Sequence, residues 1–95
     1  MKNFLILHHG FERPTPEDMV GWNRWFASIA DHEVQRAGLR GGREISRTGT
    51  KDLPFGKDSL TGYTVIRARD LDDAERIARG CPIVSSTSVH EIINH

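Results

Sequence analysis

Between Asn3 and His9 (NFLILHH) apolar side chains occupy both alternating faces, Phe4 and Ile6 on one and Leu5 and Leu7 on the other, which predicts an interior strand. After Gly10, Thr15-Pro16-Glu17-Asp18 brings together a capping hydroxyl, a proline suited to the first helical position and two first-turn acids. A helix is expected to start there. Met19, Trp22, Phe26 and Ile29 follow at spacings of three, four and three, and Ala30, Val34 and Ala37 continue the stripe, so the helix is expected to run to about Ala37, with Gly38 as its cap. Leu39 to Arg47 alternates polar residues around Ile45 and contains Gly41-Gly42, the pattern of an edge strand with a bulge. Thr48 to Ser59 (TGTKDLPFGKDS) is dense in turn formers and predicts a long loop anchored by Leu53 and Phe55. Leu60 to Ala68 (LTGYTVIRA) predicts a third strand. Asp70-Leu71-Asp72-Asp73 opens a second, short helix. Its face of Leu71, Ala74, Ile77 or Ala78, and Cys81 ends at Gly80 and Pro82, and Ile83 to Ile93 closes as a fourth strand.

The order βαββαβ points to an α+β, ferredoxin-like domain with antiparallel sheet order 4-1-3-2, both helices lying on one face because right-handed crossovers put them on the same side. The other face would then expose apolar residues, and a homodimer joined sheet to sheet is its natural cover. A chain of 95 residues has room for one domain, 1–95.

Charge narrows the partners. Thirteen Lys and Arg balance thirteen Asp and Glu, so there is no polybasic field for nucleic acid or anionic lipid. RNA-recognition domains share the βαββαβ order, but they stack bases on several sheet aromatics, whereas here strand three offers only Tyr63 and strand one only Phe4. The lone Cys81 excludes an internal disulfide framework, and the apolar run Phe4 to Leu7 falls far short of the ~20 residues of a membrane helix. A cytoplasmic protein without membrane contact is expected.

In this topology one sheet edge gathers His8 and His9, Arg13 to Glu17, Arg47 to Ser59, and Cys81 with Pro82. Consecutive strand residues face opposite ways, so only one of the two histidines is expected to meet a ligand there. The helix N-terminus with Arg47, Lys51 and Lys57 would favour a carboxylate or phosphate. His8 is the candidate proton carrier, with Asp52 raising its pKa above the ~6.5 of free imidazole; the alternative is a strand-end histidine bonded to backbone. Lys51, Phe55, Tyr63 and Trp25 are candidate ligand-binding residues. Trp22 and Phe26 fall on the core stripe and Trp25 one position off it, facing a pocket or a dimer contact. Cys81 is expected to be buried packing. Adjacent histidines diverge and no third ligand sits at metal spacing, while His32 and His90 belong at the opposite edge, so neither metal nor organic cofactor is expected.

Asp52-Leu53-Pro54-Phe55, Gly62-Tyr63 and Asp70-Leu71-Asp72-Asp73-Ala74, in this order after Met1-Lys2, an apolar strand and an aromatic-bearing helix, resemble the YCII-related family and in particular its DGPF branch. The likeness covers nearly the whole chain. It implies a ferredoxin-like subunit that pairs into a dimeric α/β barrel, with a cleft between sheet and loop working through His and Asp. The sequence departs from the family at two points. Leu53 stands where the DGPF motif has glycine, and Trp22 to Ile29 holds no histidine like that of the founding branch, so only Asp52, Pro54 and Phe55 carry over. Two functions follow as expectations: a cofactor-independent acid–base enzyme acting on a small anionic, carboxylated molecule, or a non-catalytic ligand-binding or structural dimer.

Overall fold

The computed structural model describes residues 1–93. It is an α+β fold, with β1 (Lys2–His9), α1 (Pro16–Ser28), β2 (Glu33–Gly38), β3 (Arg43–Ser46), β4 (Gly49–Asp52), β5 (Leu60–Ala68), α2 (Leu71–Ala78) and β6 (Ser86–Glu91). Four strands form an antiparallel sheet in the order β2-β5-β1-β6, and β3 pairs with β4 as a separate hairpin. This is consistent with a ferredoxin-like arrangement. No helix among the described residues is long and apolar enough to cross a membrane.

Alternation along β1 sorts its residues between two environments. Phe4, Ile6 and His8 are buried, whereas Leu5, Leu7 and His9 are half-buried on the face away from the helices. Ile66 and Ala68 from β5, Trp25 and Ile29 from the first helical segment, and Ala74, Ile77 and Ala78 from α2 complete one core. Both helices therefore cover the same face. Each starts as its sequence predicts: Thr15 and Asp18 close a reciprocal capping box on α1, and the Asp70 carboxylate accepts the Asp73 N–H on α2. Asp73 in turn accepts the Arg69 backbone N–H and is flanked by Arg76, and these hold its carboxyl down at about 2. Cys81 is buried, as expected of a small apolar residue beyond a helix end.

The stretch from Ile29 to Asp52 departs from its pattern. The first helix ends at Ser28 rather than near Ala37, and the second strand of the sheet is Glu33–Gly38 rather than Leu39 to Arg47. Helical periodicity there loses to sheet completion. β5 is flanked on one side by β1, and pairing with Glu33 to Gly38 satisfies the backbone groups along its other edge, starting with Arg67 N–H donating to His32 O at 2.8 Å. Val34, which prolongs the helical stripe, sits instead at the register shift between Glu33 and Gln35 and is exposed.

The predicted Thr48–Ser59 loop is also partly strand. Thr50 to Asp52 returns along Arg43 to Ile45, with Arg43 opposite Asp52 and Glu44 opposite Lys51; both pairs make ion contacts, at 3.1 and 3.6 Å. Residues of low strand propensity are held here by cross-strand pairing. The hairpin is exposed throughout, and Ile45 at its centre is 80% accessible. The last strand is shorter than its pattern, beginning at Ser86 rather than Ile83.

Candidate functional site

The end of β1 is drawn tightly against two loops. Gly10 N–H donates to Ser59 O at 2.7 Å, and Ser85 N–H donates to His9 O at 3.2 Å. Gly10 has φ of 113°, and a Cβ there would lie 2.6 Å from the Ser85 nitrogen, so both conformation and space require glycine. Beyond this junction the strand's alternation sends His8 and His9 to two different cavities.

His8 lies under the helices, 7% exposed, at the wall of a cavity of about 520 Å³. Its Nε2 is hydrogen-bonded to Thr64 Oγ1 at 3.0 Å, and its ring stands edge-on to Trp22 and Trp25 with centroids 5.1 and 5.7 Å away. Gly62 is its partner on β5; a Cβ there would only touch the His8 ring, at 3.9 Å, but would crowd Ala37 O of the neighbouring strand at 3.0 Å. Nδ1 faces the Cys81 thiol at 4.0 Å. These partners are a hydroxyl, a thiol and two indoles. Burial, with a smaller contribution from the neighbouring His9, pushes the His8 pKa down to about 4. The expectation of a raised pKa is thus reversed: the carboxylate meant to raise it, Asp52, sits on the exposed hairpin bonded to Arg43. Burial also lifts the Cys81 thiol above its usual value, so at neutral pH the contact joins a neutral imidazole to a neutral thiol.

Trp22 and Phe26 form the aromatic wall of this cavity, stacked on each other with centroids 5.7 Å apart. Arg36 of β2 lies over the Phe26 ring, its guanidinium carbon 3.9 Å from the ring centroid, and its Nε is 3.4 Å from Glu33 Oε1. Among the described residues, Glu12 is the other charged one on the lining. The helix N-terminus adds less attraction for an anion than its position suggests. The capping box uses the Asp18 N–H, and Glu17 and Asp18 already place negative charge on the first turn.

The candidate residues are therefore divided. His8 borders the first cavity; Tyr63 is on its lining too, but it alternates with the buried Gly62 and Thr64, so its side chain lies on the sheet face away from the helices, with its hydroxyl accepting from Gln35 Nε2 at 2.8 Å. Phe55 lines the second, tilted against Phe11 with centroids 4.6 Å apart. Asp52 and Lys51 line neither, being engaged across the hairpin with Arg43 and Glu44. Trp25 is corrected outright. At 3% exposure it is core, with its indole N–H donating to Ile77 O at 3.0 Å, while the half-buried Trp22 and Phe26 meet the cavity. Ending the helix at Ser28 leaves Trp25 and Ile29, one turn apart, as the side turned to α2, and leaves Trp22 and Phe26 toward β2. Thr64 and Arg36 escape a reading of the sequence because one needs the register of β5 and the other lies in the segment patterned as helix.

No family model matches the chain, and no curated protein matches it significantly.

Proposed function

We propose that the protein is a YCII-like homodimeric subunit whose first cavity binds a small molecule with an aromatic or apolar body and one carboxylate. The observation that carries this reading is Arg36. Stacked on Phe26, with its Nε 3.4 Å from Glu33 Oε1, it is among the described residues the one permanent cation on a mainly apolar wall of Trp22, Phe26, Met19, Pro14 and Val84, which also holds Glu12 and has the neutral His8–Thr64 pair as a polar fixture. With Nε turned to Glu33, the terminal N–H groups of the guanidinium are what a carboxylate would meet there. Binding is favoured over acid–base catalysis because a histidine at about 4 is deprotonated at neutral pH yet too weak a base to take a proton readily from most carbon or hydroxyl acids.

Phenylacetate titrated against Trp fluorescence tests the reading, since Trp22 stands on the wall. Arg36→Met keeps the stem on Phe26 and removes the charge; it is expected to weaken binding about tenfold or more, the value of a charge-assisted bond. Equal affinity in the variant would overturn the assignment. A pH-dependent turnover of any carboxylated substrate lost in His8→Gln would restore the enzyme reading.

The dimer is the second element of this reading. Leu5, Leu7, Tyr63 and Val65 are only half-buried on the sheet face that neither helix covers, and the described chain is a slab of 40 × 40 × 18 Å. A sheet-to-sheet pair, closing the α/β barrel implied by the order of the DxPF, GY and DLDDA motifs, covers that face. Such a contact should exceed ~1,000 Å². Sedimentation is expected to give twice the 10.7 kDa chain mass, and Leu7→Arg is expected to return the monomer. A wild-type monomer at micromolar concentration would sink the proposal.

A further inference from the structure

The second cavity, of about 720 Å³, lies beside the end of β1 on the side that His9 faces. Its lining combines two kinds of surface. Leu39, Leu53, Phe55 and Leu60 make it apolar, and Arg40, Arg43 and Lys57 surround this with three cations against one acid, Asp58. In a chain of zero net charge that is a local excess. Arg43 is engaged by Asp52 at 3.1 Å, and Asp58 is engaged by the Ser85 hydroxyl at 2.8 Å. Among the described residues, no carboxylate lies within ion-pair distance of Arg40 or Lys57.

The cavity is built from tied segments. Leu53 N–H donates to Gly42 O at 2.9 Å, Gly56 N–H donates to Ser59 Oγ at 2.6 Å, and Ser59 Oγ donates to Pro54 O at 3.0 Å. Phe55 is braced by Phe11 at 4.6 Å between centroids. At Gly41 and Gly56 an added Cβ would meet nothing within 4 Å, so bare backbone borders open space on two sides.

We propose that this cavity is a separate site for a small organic phosphate. Arg40 and Lys57, with no internal carboxylate to neutralise them, hold the dianionic head, and the organic body lies against Phe55 and Leu53. Two uncommitted cations converging on one cavity match a double charge better than a carboxylate's single one, and a guanidinium fork suits phosphate oxygens. The apolar lining would be wasted on inorganic phosphate, and the volume falls in the range of small-molecule sites. Nothing in this inference depends on the ligand of the first cavity.

Amide NMR titrations with phenyl phosphate, benzoate and inorganic phosphate separate the alternatives. Phenyl phosphate is expected to shift Arg40 to Gly42 and Phe55 to Asp58, and to bind about tenfold or more tighter than either comparison ligand. Arg40→Ala combined with Lys57→Ala is expected to lower that affinity at least about tenfold while the spectrum stays folded, since both side chains are exposed. Three results would each overturn the site: equal binding of inorganic phosphate, which signals surface charge alone; tighter binding of benzoate; or shifts confined to His8 and Trp22. So would unchanged affinity in the double variant.

Discussion

Trp25→Ala is expected to cost about 3–5 kcal/mol, enough to unfold much of the population of a domain whose whole stability is on the order of 5–15 kcal/mol. The indole is 3% exposed and packs between His8, Phe26 and the end of α2; Gly80 lies so close that a Cβ there would come within 3.2 Å of Trp25 Cδ1. Removing the ring opens a cavity that rigid neighbours cannot fill, and it leaves Ile77 O without the 3.0 Å bond from the indole nitrogen. Trp25→Phe restores much of the volume but not the donor, and should cost about 1–3 kcal/mol. Trp22→Ala, at the cavity wall, should destabilise clearly less than Trp25→Ala and weaken binding of the carboxylated ligand more. Urea unfolding with unchanged m-values checks the ranking. A larger stability loss from Trp22 than from Trp25 would return the two residues to the places their spacing suggests.

The second large effect is expected on acidification. His8 titrates near 4 when folded and near 6.5 when unfolded, so between these values the unfolded chain binds a proton that the folded protein refuses. Stability from this group is fully present above about pH 6.5, declines as pH falls through the window, and levels off near pH 4. A depression of that size corresponds to roughly 3 kcal/mol. His8→Gln places an amide where the imidazole meets Thr64 and cannot be charged. The stability difference between wild type and variant should therefore shrink by about that amount from pH 7 to pH 4, as read by denaturant titration at each pH. A difference constant with pH would mean that His8 is not buried as a neutral ring. Because the ring packs against both indoles, His8→Ala is expected to destabilise the fold.

Much of the frame was legible because its signals are local. The apolar run of β1, the β-branched run of β5, the Thr15 and Asp70 caps and the α2 stripe each depend on neighbours a few residues away, and each stands where the pattern puts it. The divergence of His8 and His9 follows from pleating alone. The hairpin's Arg43–Asp52 and Glu44–Lys51 pairs and the stretch from Glu33 to Gly38 were not legible. Their structure answers to partners across a ladder, and helical spacing continues through Val34 and Ala37 with nothing in the sequence to contradict it.

The candidate site shows the same division. Residue types and their gathering at one sheet edge come from chain order: His8 and Phe55 do lie at cavities there. Which side chains share a cavity was decided by tertiary structure. The early end of α1 makes Trp25 core and Trp22 wall, the edge strand carries Arg36 over Phe26, and the hairpin removes Asp52 from His8. Electrostatics follow from those placements. An imidazole's charge depends on what lies within a few ångströms of it, and in place of the carboxylate expected there His8 meets a hydroxyl, a thiol and two indoles, so burial sets its pKa.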